Sequence, residues 1–412
     1  MNTGMRAQRT ANVAMLLTLV PVTLLVPGLH ELVASRGGTN GDAHAFMTVN
    51  MVAGMIAVPV AMRLIRRWPN VRGWLLAALA LDAIAFAGMG MTSSLGALYA
   101  FRVLDGAAHL TAVTLLMVAS NRLAGDRRGR ALGALAAAIM AGVAIGSPLG
   151  GWLSERGTGV LFGTGAALFV LAGIASAVLG TIPAPTTTPK PDRYAFNRAL
   201  ARSWIPLGYG FMDRFAIGIF VSTFTLFLAE VHGLSTSQRG GLIALFTLPF
   251  ALLCYPVGRL AERIGWFKPM IVGNVLFAIV FAAYGITPTA LLPVAMVASG
   301  VLSALMYTPN LLLISSLAER GSGEGLFGAF QIAGALGFLC GPIVGGVLVQ
   351  ATRALDGAPA YREIFALVGT LELLLAITSW STLRDIAGSR VRLPLSWRPA
   401  TRDPIGTVAL YD

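Results

Sequence analysis

Charge is scarce in this chain. Asp, Glu, Lys and Arg supply only 12% of its 412 residues, against roughly 25% in soluble domains, so a solvated globular surface cannot be assembled from it. Cysteine is nearly missing. Cys254 and Cys340 are far apart and each sits in an apolar run, which excludes a disulfide framework or thiol-metal spacing and leaves two thiols expected to be buried. Histidine occurs four times, with no HExxH and no cluster of metal ligands, so neither metal nor cofactor is expected. A GxxxxGK[ST] phosphate loop is absent, which argues against an ATP-driven pump built on this chain alone. Gly323, Gly325 and Gly328 do satisfy GxGxxG. They follow a helical pattern rather than a strand, and no βαβ unit surrounds them, so a dinucleotide site is rejected. The remaining acids and histidines are scattered without catalytic spacing, and an enzyme is not expected.

Apolar sequence fills the chain instead, at 56% of all residues. A membrane-spanning helix needs about 20 apolar residues, and twelve such segments can be read. They lie near 12–34, 44–64, 73–92, 96–120, 131–154 and 159–181, then 204–230, 238–258, 268–287, 290–318, 325–350 and 362–383. Between the sixth and seventh stands the only long polar stretch, PAPTTTPKPDRYAFNRALARSW, whose prolines and threonines suit a hinge rather than a packed domain. The expectation is an all-α integral membrane protein with twelve transmembrane helices in two pseudo-symmetric six-helix bundles. These are 1–182 and 204–384, with a cytoplasmic linker 183–203 and a cytoplasmic tail 385–412. Arg6 and Arg9 ahead of the first run imitate a signal peptide, but the many spans that follow favour an uncleaved first helix.

The net charge of +12 would suggest nucleic acid in a soluble protein. Its distribution points elsewhere. With the N-terminus inside, 23 lysines and arginines fall on the cytoplasmic side, including the clusters Arg63, Arg66, Arg67, Arg72 and Arg122, Arg127, Arg128, Arg130. The opposite side receives only Arg36, Arg156, Arg239, Arg353 and Arg362. This positive-inside pattern places both termini in the cytoplasm and the chain in the cytoplasmic (inner) membrane, with the bilayer as partner and no nucleic acid.

One stretch has a geometry of its own. In GVAIGSPLGGW, Gly142, Gly146 and Gly150 recur every fourth residue, so on a helix they form one nearly bare face that another helix can approach closely. Pro148 adds a kink. Almost half the chain later the device returns as Gly337, Gly341, Pro342, Gly345 and Gly346 in GFLCGPIVGG. The pair reads as a symmetric gate that packs closely on the outer side and bends to open.

Three motifs carry a resemblance to the major facilitator superfamily, most like its twelve-helix drug:proton antiporters, and it covers nearly the whole chain. Gly142 to Gly151 is similar to the family's fifth-helix antiporter motif, with Pro148 one place late and Ser147 where the proline usually stands. GRLAERIGWFK, with Gly258, Arg259, Glu262, Arg263, Gly265 and Lys268, resembles the cytoplasmic loop motif between paired helices, with glutamate where aspartate is usual. Physically, Glu262 with Arg259 or Arg263 can latch the cytoplasmic face when the halves close; a solvated loop whose arginines only set topology is the alternative. Arg102, Asp105 and Gly106 in FRVLDGAAH resemble the fourth-helix motif, whose arginine the resemblance links to proton coupling. An Asp-Arg-Phe sequence like Asp213 to Phe215 occurs in the first helix of some proton-coupled facilitators; here it stands in the seventh.

Charges inside the apolar segments are costly, about 2.5–3.5 kcal/mol at the bilayer centre on the lenient insertion scale. Arg102, Asp105 and His109 fall at i, i+3 and i+7, on one helical face expected to border a central cavity, with Asp105 as proton carrier and Arg102 tuning it; an ion pair that merely pins helix four is the alternative. Asp213 is expected to face the cavity as a further proton-coupling residue, with a helix-entry charge that snorkels to the interface as the alternative, and its neighbour Arg214 to seek another acid or the interface. His30 and Glu31 fit a water-exposed helix end. Asp82 and Glu372 are isolated acids, and Glu372 is set aside because helix twelve tends to be peripheral. Asn50, Tyr209, Phe211, Phe215, Phe250, Tyr307, Asn310 and Gln331 are candidates to line the cavity, with core packing or lipid contact as the alternative for each aromatic.

The sequence thus points to a monomeric secondary transporter that exports a small amphiphilic or drug-like compound against protons by alternating access. A metabolite importer or proton symporter, and a membrane assembly or sensor protein without transport, remain open at this point.

Overall fold

The computed structural model describes residues 3–68, 70–123, 128–179, 203–318, 323–356 and 359–388. The linker from 180 to 202, the tail from 389 and the side chains of Glu262 and Gln331 lie outside the described residues. Among the described residues all regular structure is helical. The elements are α1 (Thr3–Leu24), α2 (Leu29–Ala34), α3 (Asn40–Arg67), α4 (Val71–Met91), α5 (Leu95–Leu123), α6 (Arg128–Ser154) and α7 (Thr158–Ala177). There follow α8 (Trp204–Ile219), α9 (Thr225–Glu230), α10 (Thr236–Ile264), α11 (Phe267–Ala283), α12 (Leu292–Ala318), α13 (Gly323–Asp356) and α14 (Tyr361–Gly388). Eleven helices among the described residues are long and apolar enough to cross a membrane, α8 and α9 counting as one; α1, at 22 residues, precedes them.

Local chemistry explains the starts and breaks. Thr39 with Asp42, and Ser235 with Gln238, form reciprocal capping boxes that satisfy the first free N–H groups of α3 and α10. Gly265 closes α10 with φ +89°, a left-handed conformation that glycine adopts without strain. The first apolar segment is not one helix: it breaks between Leu24 and Leu29, because Pro27 disfavours helical backbone at Val26. The seventh segment continues through a π-helical turn, Phe220–Phe224, between α8 and α9, a feature that hydrophobic periodicity does not announce. Gly325 and Gly328 lie in the first turns of α13, with no strand nearby among the described residues.

The buried apolar side chains gather in separate cores. One runs from Ala11 to Leu179 and belongs to α1 through α7. A second, rich in phenylalanine, is built from α8 onward, joined only by Val26 from the earlier helices. Cys254 and Cys340 are free and half-buried rather than enclosed, and Cys340 packs against the second core.

Both glycine ladders pack within their own half. Gly142, Gly146 and Gly150 lie against the α1 backbone at Leu16, Val20 and Leu24, while Gly337 and Gly341 meet α8 at Phe211, Phe215 and Gly218 and Gly345 abuts Thr223 just beyond it. Thr23 Oγ1 also donates to the Val143 carbonyl at 3.0 Å. The gate reading is therefore corrected: these faces are occupied by α1 and α8, and the residues that touch the opposite half are their neighbours. Ser147 meets Gly240, Gly151 meets Thr236 and Ser237, and Gly346 meets His44. Pro148 points away from the interior and borders a shallow groove with Trp152 and Leu248. Pro342 lies beside Gly218.

Replacing Gly150 by Leu drives a side chain into the Leu24 backbone, so thermal unfolding in detergent should show a loss of at least about 1–3 kcal/mol. Gly163→Leu, where a new Cβ meets no atom within 4 Å, should unfold like the parent; equal losses in the two variants would contradict the packing account.

Candidate functional site

A cavity of about 310 Å³ lies between the two sets of helices. Its wall comes from α1 (Leu19, Val22, Thr23), α3 (Met47), α6 (Ile139, Met140, Val143, Ser147), α8 (Asp213, Arg214, Ile217), α10 (Ile243, Phe246, Thr247, Phe250), α11 (Phe277), α12 (Ser303, Met306, Tyr307) and α13 (Phe338), together with Phe220 and Val221 of the π turn and Val26 from the break after α1. Aromatic and aliphatic groups dominate, and Asp213 and Arg214 are the charged members. Asp213 is only 7% exposed, and neither of its carboxylate oxygens has a hydrogen-bond partner. Arg214 finds a tyrosine rather than an acid: Nη2 donates to the Tyr307 hydroxyl at 3.1 Å, with the guanidinium 5.4 Å from that ring's centroid.

Of the cavity candidates, Phe250 and Tyr307 line this wall, their rings edge to face at 5.8 Å. The others do not. Asn50 turns to Asp105, Tyr209 shares a 2.8 Å hydrogen bond with Ser379, and Asn310 Nδ2 donates to the Pro206 carbonyl at 3.4 Å. Phe211 and Phe215 stack on one another at 5.9 Å beside the α13 ladder. Gln331 lies outside the described side chains. Phe246, Met140 and Met306 were missed, although Ile243, Phe246, Thr247 and Phe250 at i, i+3, i+4 and i+7 mark one face of α10.

The fourth-helix charges sit away from this cavity. Arg102 Nη1 donates to Asp105 Oδ2 at 2.7 Å, Asn50 Nδ2 donates to the same oxygen at 2.6 Å, and the Arg102 guanidinium lies 4.7 Å from the Phe46 ring centroid. His109 Nδ1 is 3.7 Å from Asp82 Oδ2, an electrostatic approach too long for a hydrogen bond. The expected stripe thus faces α3 and α4 inside its own bundle. The cause is steric: Gly106 lets α5 approach the α3 backbone at Asn50, which turns this face inward.

One face of the bundle is sealed, the one opposite the N-terminus. Every hydrogen bond between the halves among the described residues lies there. The His30 Nε2–H donates to the Ser222 carbonyl at 2.9 Å, Asn40 Nδ2 to Glu230 Oε1 at 3.1 Å, Thr236 Oγ1 to the Gly151 carbonyl at 3.1 Å and the Ser237 N–H to Glu155 Oε1 at 3.0 Å. His44 Nδ1–H is held by the Asn40 carbonyl at 2.7 Å, so its Nε2 accepts from Thr223 at 3.3 Å. Arg239, 2% exposed, pairs with Glu31. His30 is therefore a buried part of the seal rather than a water-exposed end, while Glu31 is exposed as expected and still pairs with Arg239. On the other face Arg259, Arg263 and Lys268 are exposed and enter no ion pair among the described residues, Gly258 lies beside Thr308, and the Glu262 side chain falls outside the description. The structure therefore has a cavity shared by two halves and closed at one end.

The Major Facilitator Superfamily pattern matches residues 11–211 and again 207–408, once for each half. The chain belongs to the Major Facilitator Superfamily. It is a multi-pass membrane transporter and not an enzyme. Solved structures of the same fold include a mutant form of the nucleoside transporter NupG (TM-score 0.75, 14% identity, covering 91% of this chain and 99% of that one). They also include a bacterial homologue of the human lysosomal transporter Spinster, inward-facing and unoccupied (0.72, 16%, 97% and 100%), and the human organic anion transporter TETRAN (0.64, 16%, 91% and 100%). No curated protein matches the sequence. At these identities the likeness is one of fold alone.

Two predictions concern this superfamily member's charges. Asp105→Ala strands a buried guanidinium and should lower stability by about 3–5 kcal/mol, whereas Arg102→Met with Asp105→Leu should recover most of the loss in thermal unfolding. At the seal, the Ser235 hydroxyl and the Ser237 N–H hold the Glu155 carboxyl below its ordinary range. A depressed carboxylate contributes fully above about pH 4.5, the ordinary value, and less as pH falls through its own lower one. Spin-label distances between the 154–158 and 230–236 turns should widen in acid for the parent and widen less in Glu155→Gln.

Proposed function

We propose that this transporter exports a small amphiphilic or drug-like compound in exchange for protons, by alternating access. One observation carries the reading: an unpartnered, buried carboxylate, Asp213, stands in the wall of a largely apolar cavity that both halves share and that is closed at one end. An apolar cavity with one acid suits a cargo with an apolar body and a polar or cationic end. The same acid gives proton and cargo a common place to compete, and such competition couples them only when the two conformations bind each differently.

The Arg102–Asp105 pair supplies a second protonatable element. It lies apart from the cavity, so it acts by favouring one packing of α3, α4 and α5 over another, not by touching cargo. The positive-inside pattern puts both termini in the cytoplasm of the cell's inner membrane, and the sealed face then looks outward, which makes this the inward-facing state. Arg259, Glu262, Arg263 and Lys268 become the cytoplasmic latch of the opposite state. The halves bounded near 182 and 204 rock about the cavity, and the chain acts as a monomer.

Everted vesicles carrying the chain test this. Within a panel of cationic dyes, metabolites and siderophores, at least one amphiphilic compound should release a preformed pH gradient. Asp213→Asn and Asp105→Asn should each reduce that release at least tenfold at unchanged protein level. Silence across the whole panel would overturn proton-coupled export, and growth rescue by uptake of a sole carbon source would establish import instead.

A further inference from the structure

Glu372 was set aside on the ground that helix twelve tends to be peripheral, and its surroundings contradict that. It is 1% exposed, and neither carboxylate oxygen has a hydrogen-bond partner. On α14, Glu372, Leu375 and Ser379 recur at i, i+3 and i+7, one helical stripe. That stripe faces α8. Ser379 shares its hydrogen bond with Tyr209 at 2.8 Å, and Leu375 Cδ1 would lie 3.7 Å from a Cβ placed on Gly208. On α8, Asp213 stands one turn beyond Tyr209, so the antiparallel pair brings the two acids into one seam. They lie within electrostatic reach of one another. Asp213 fronts the cavity, and Glu372 stands behind it.

We propose that Glu372 is a further proton-binding site of this transporter, loaded from the cavity by way of Asp213. This deepens the proton-coupled reading above and rests on it. The remaining charged and titratable groups around the pair are Tyr209 and Arg214 on α8 and Tyr307 on α12, and Arg214 is already engaged by the Tyr307 hydroxyl. Arg214 also stands within electrostatic reach of Asp213, whereas no cation acts on Glu372 among the described residues, and two neighbouring carboxylates without hydrogen-bond donors do not readily both stay ionised in a low-dielectric seam. From α11, where Gly369 of α14 packs on Ala278, the next turn presents Asn274, uncharged and with an unpartnered Oδ1. The balance is simple. A hydronium at the cavity gives its proton to the Asp213 carboxylate, the proton passes to Glu372, and it leaves by the same route when Asp213 is empty. Only O–H bonds form and break, and the pair's charge changes by one per proton. The C-terminal half thereby stores a proton independently of Arg102 and Asp105.

Infrared difference spectra of the purified full-length protein in lipid nanodiscs, recorded as pH is raised, read protonated carboxyls without any cargo. The parent should lose protonated-carboxyl absorbance in several components. Glu372→Gln, which keeps shape and polarity but cannot titrate, should abolish one of them; Asp213→Asn should abolish another and, by removing the route, slow the proton exchange of the Glu372 component. Glu372→Asp should keep the component at a displaced frequency, which covers the case in which the glutamine variant folds poorly. An unchanged titration in Glu372→Gln would overturn the proposal, since it would mean the group never exchanges its proton. Gradient release in vesicles is a separate readout: its failure sinks the export reading while the infrared titration still decides Glu372.

Discussion

Lipid tails are as apolar as leucine, so no hydrophobic force presses one helix onto another inside a bilayer. What holds each half together is close backbone approach. The ladder of Gly142, Gly146 and Gly150 brings α6 onto the α1 backbone, and Gly337, Gly341 and Gly345 do the same for α13 on α8 and the turn beyond it. Dispersion and carbonyl contacts need separations that only a missing side chain permits. With these two pairs fixed, Ser147 and Gly151 on one and Gly346 on the other turn toward the opposite half, and the cavity opens between them.

Contacts between the halves are of another kind. They are hydrogen bonds and an ion pair at the sealed face, carried by His30, Asn40, His44, Thr236, Ser237 and the Arg239–Glu31 pair. Such bonds at a helix-end region can be exchanged for water at modest net cost, whereas a glycine ladder has no equal partner to exchange for. Strong packing inside each half and exchangeable polar contacts between them are the arrangement that the proposed alternation needs. The π turn at Phe220–Phe224 lies where this seal meets the cavity, and Ser222 and Thr223 within it receive His30 and His44.

The buried charges divide the same way. Arg102 and Asp105 neutralise each other, and Asn50 supplies a further donor, so this group is satisfied where it stands. Asp213 and Glu372 have no donor at all. An ionised group in that condition is expensive in a medium without water, which is why the second pair, and not the first, is the one proposed to answer through Asp213 to what enters the cavity.

The helices and their number were legible because length and apolarity alone decide what can span a bilayer, and the family was legible in the residues around Gly142, Gly258 and Arg102. Asp213 stood out because a bare acid in an apolar run is rare. Most of the site was not legible. Periodicity shows that Arg102, Asp105 and His109 share a face, but only Gly106 against Asn50 decides that the face meets α3 and not the cavity. Glu372 looked peripheral because its neighbours along the chain are leucines, while its neighbours in space are Tyr209 and Asp213 on a helix more than a hundred residues away. The sequence by itself determined which segments are long and apolar enough to cross a membrane and which polar groups are costly there. Tertiary structure alone decided which side of each helix faces its own bundle, the opposite half or the cavity. A helix can turn about its axis without altering one local contact, so that angle is set by the side chains it meets from elsewhere.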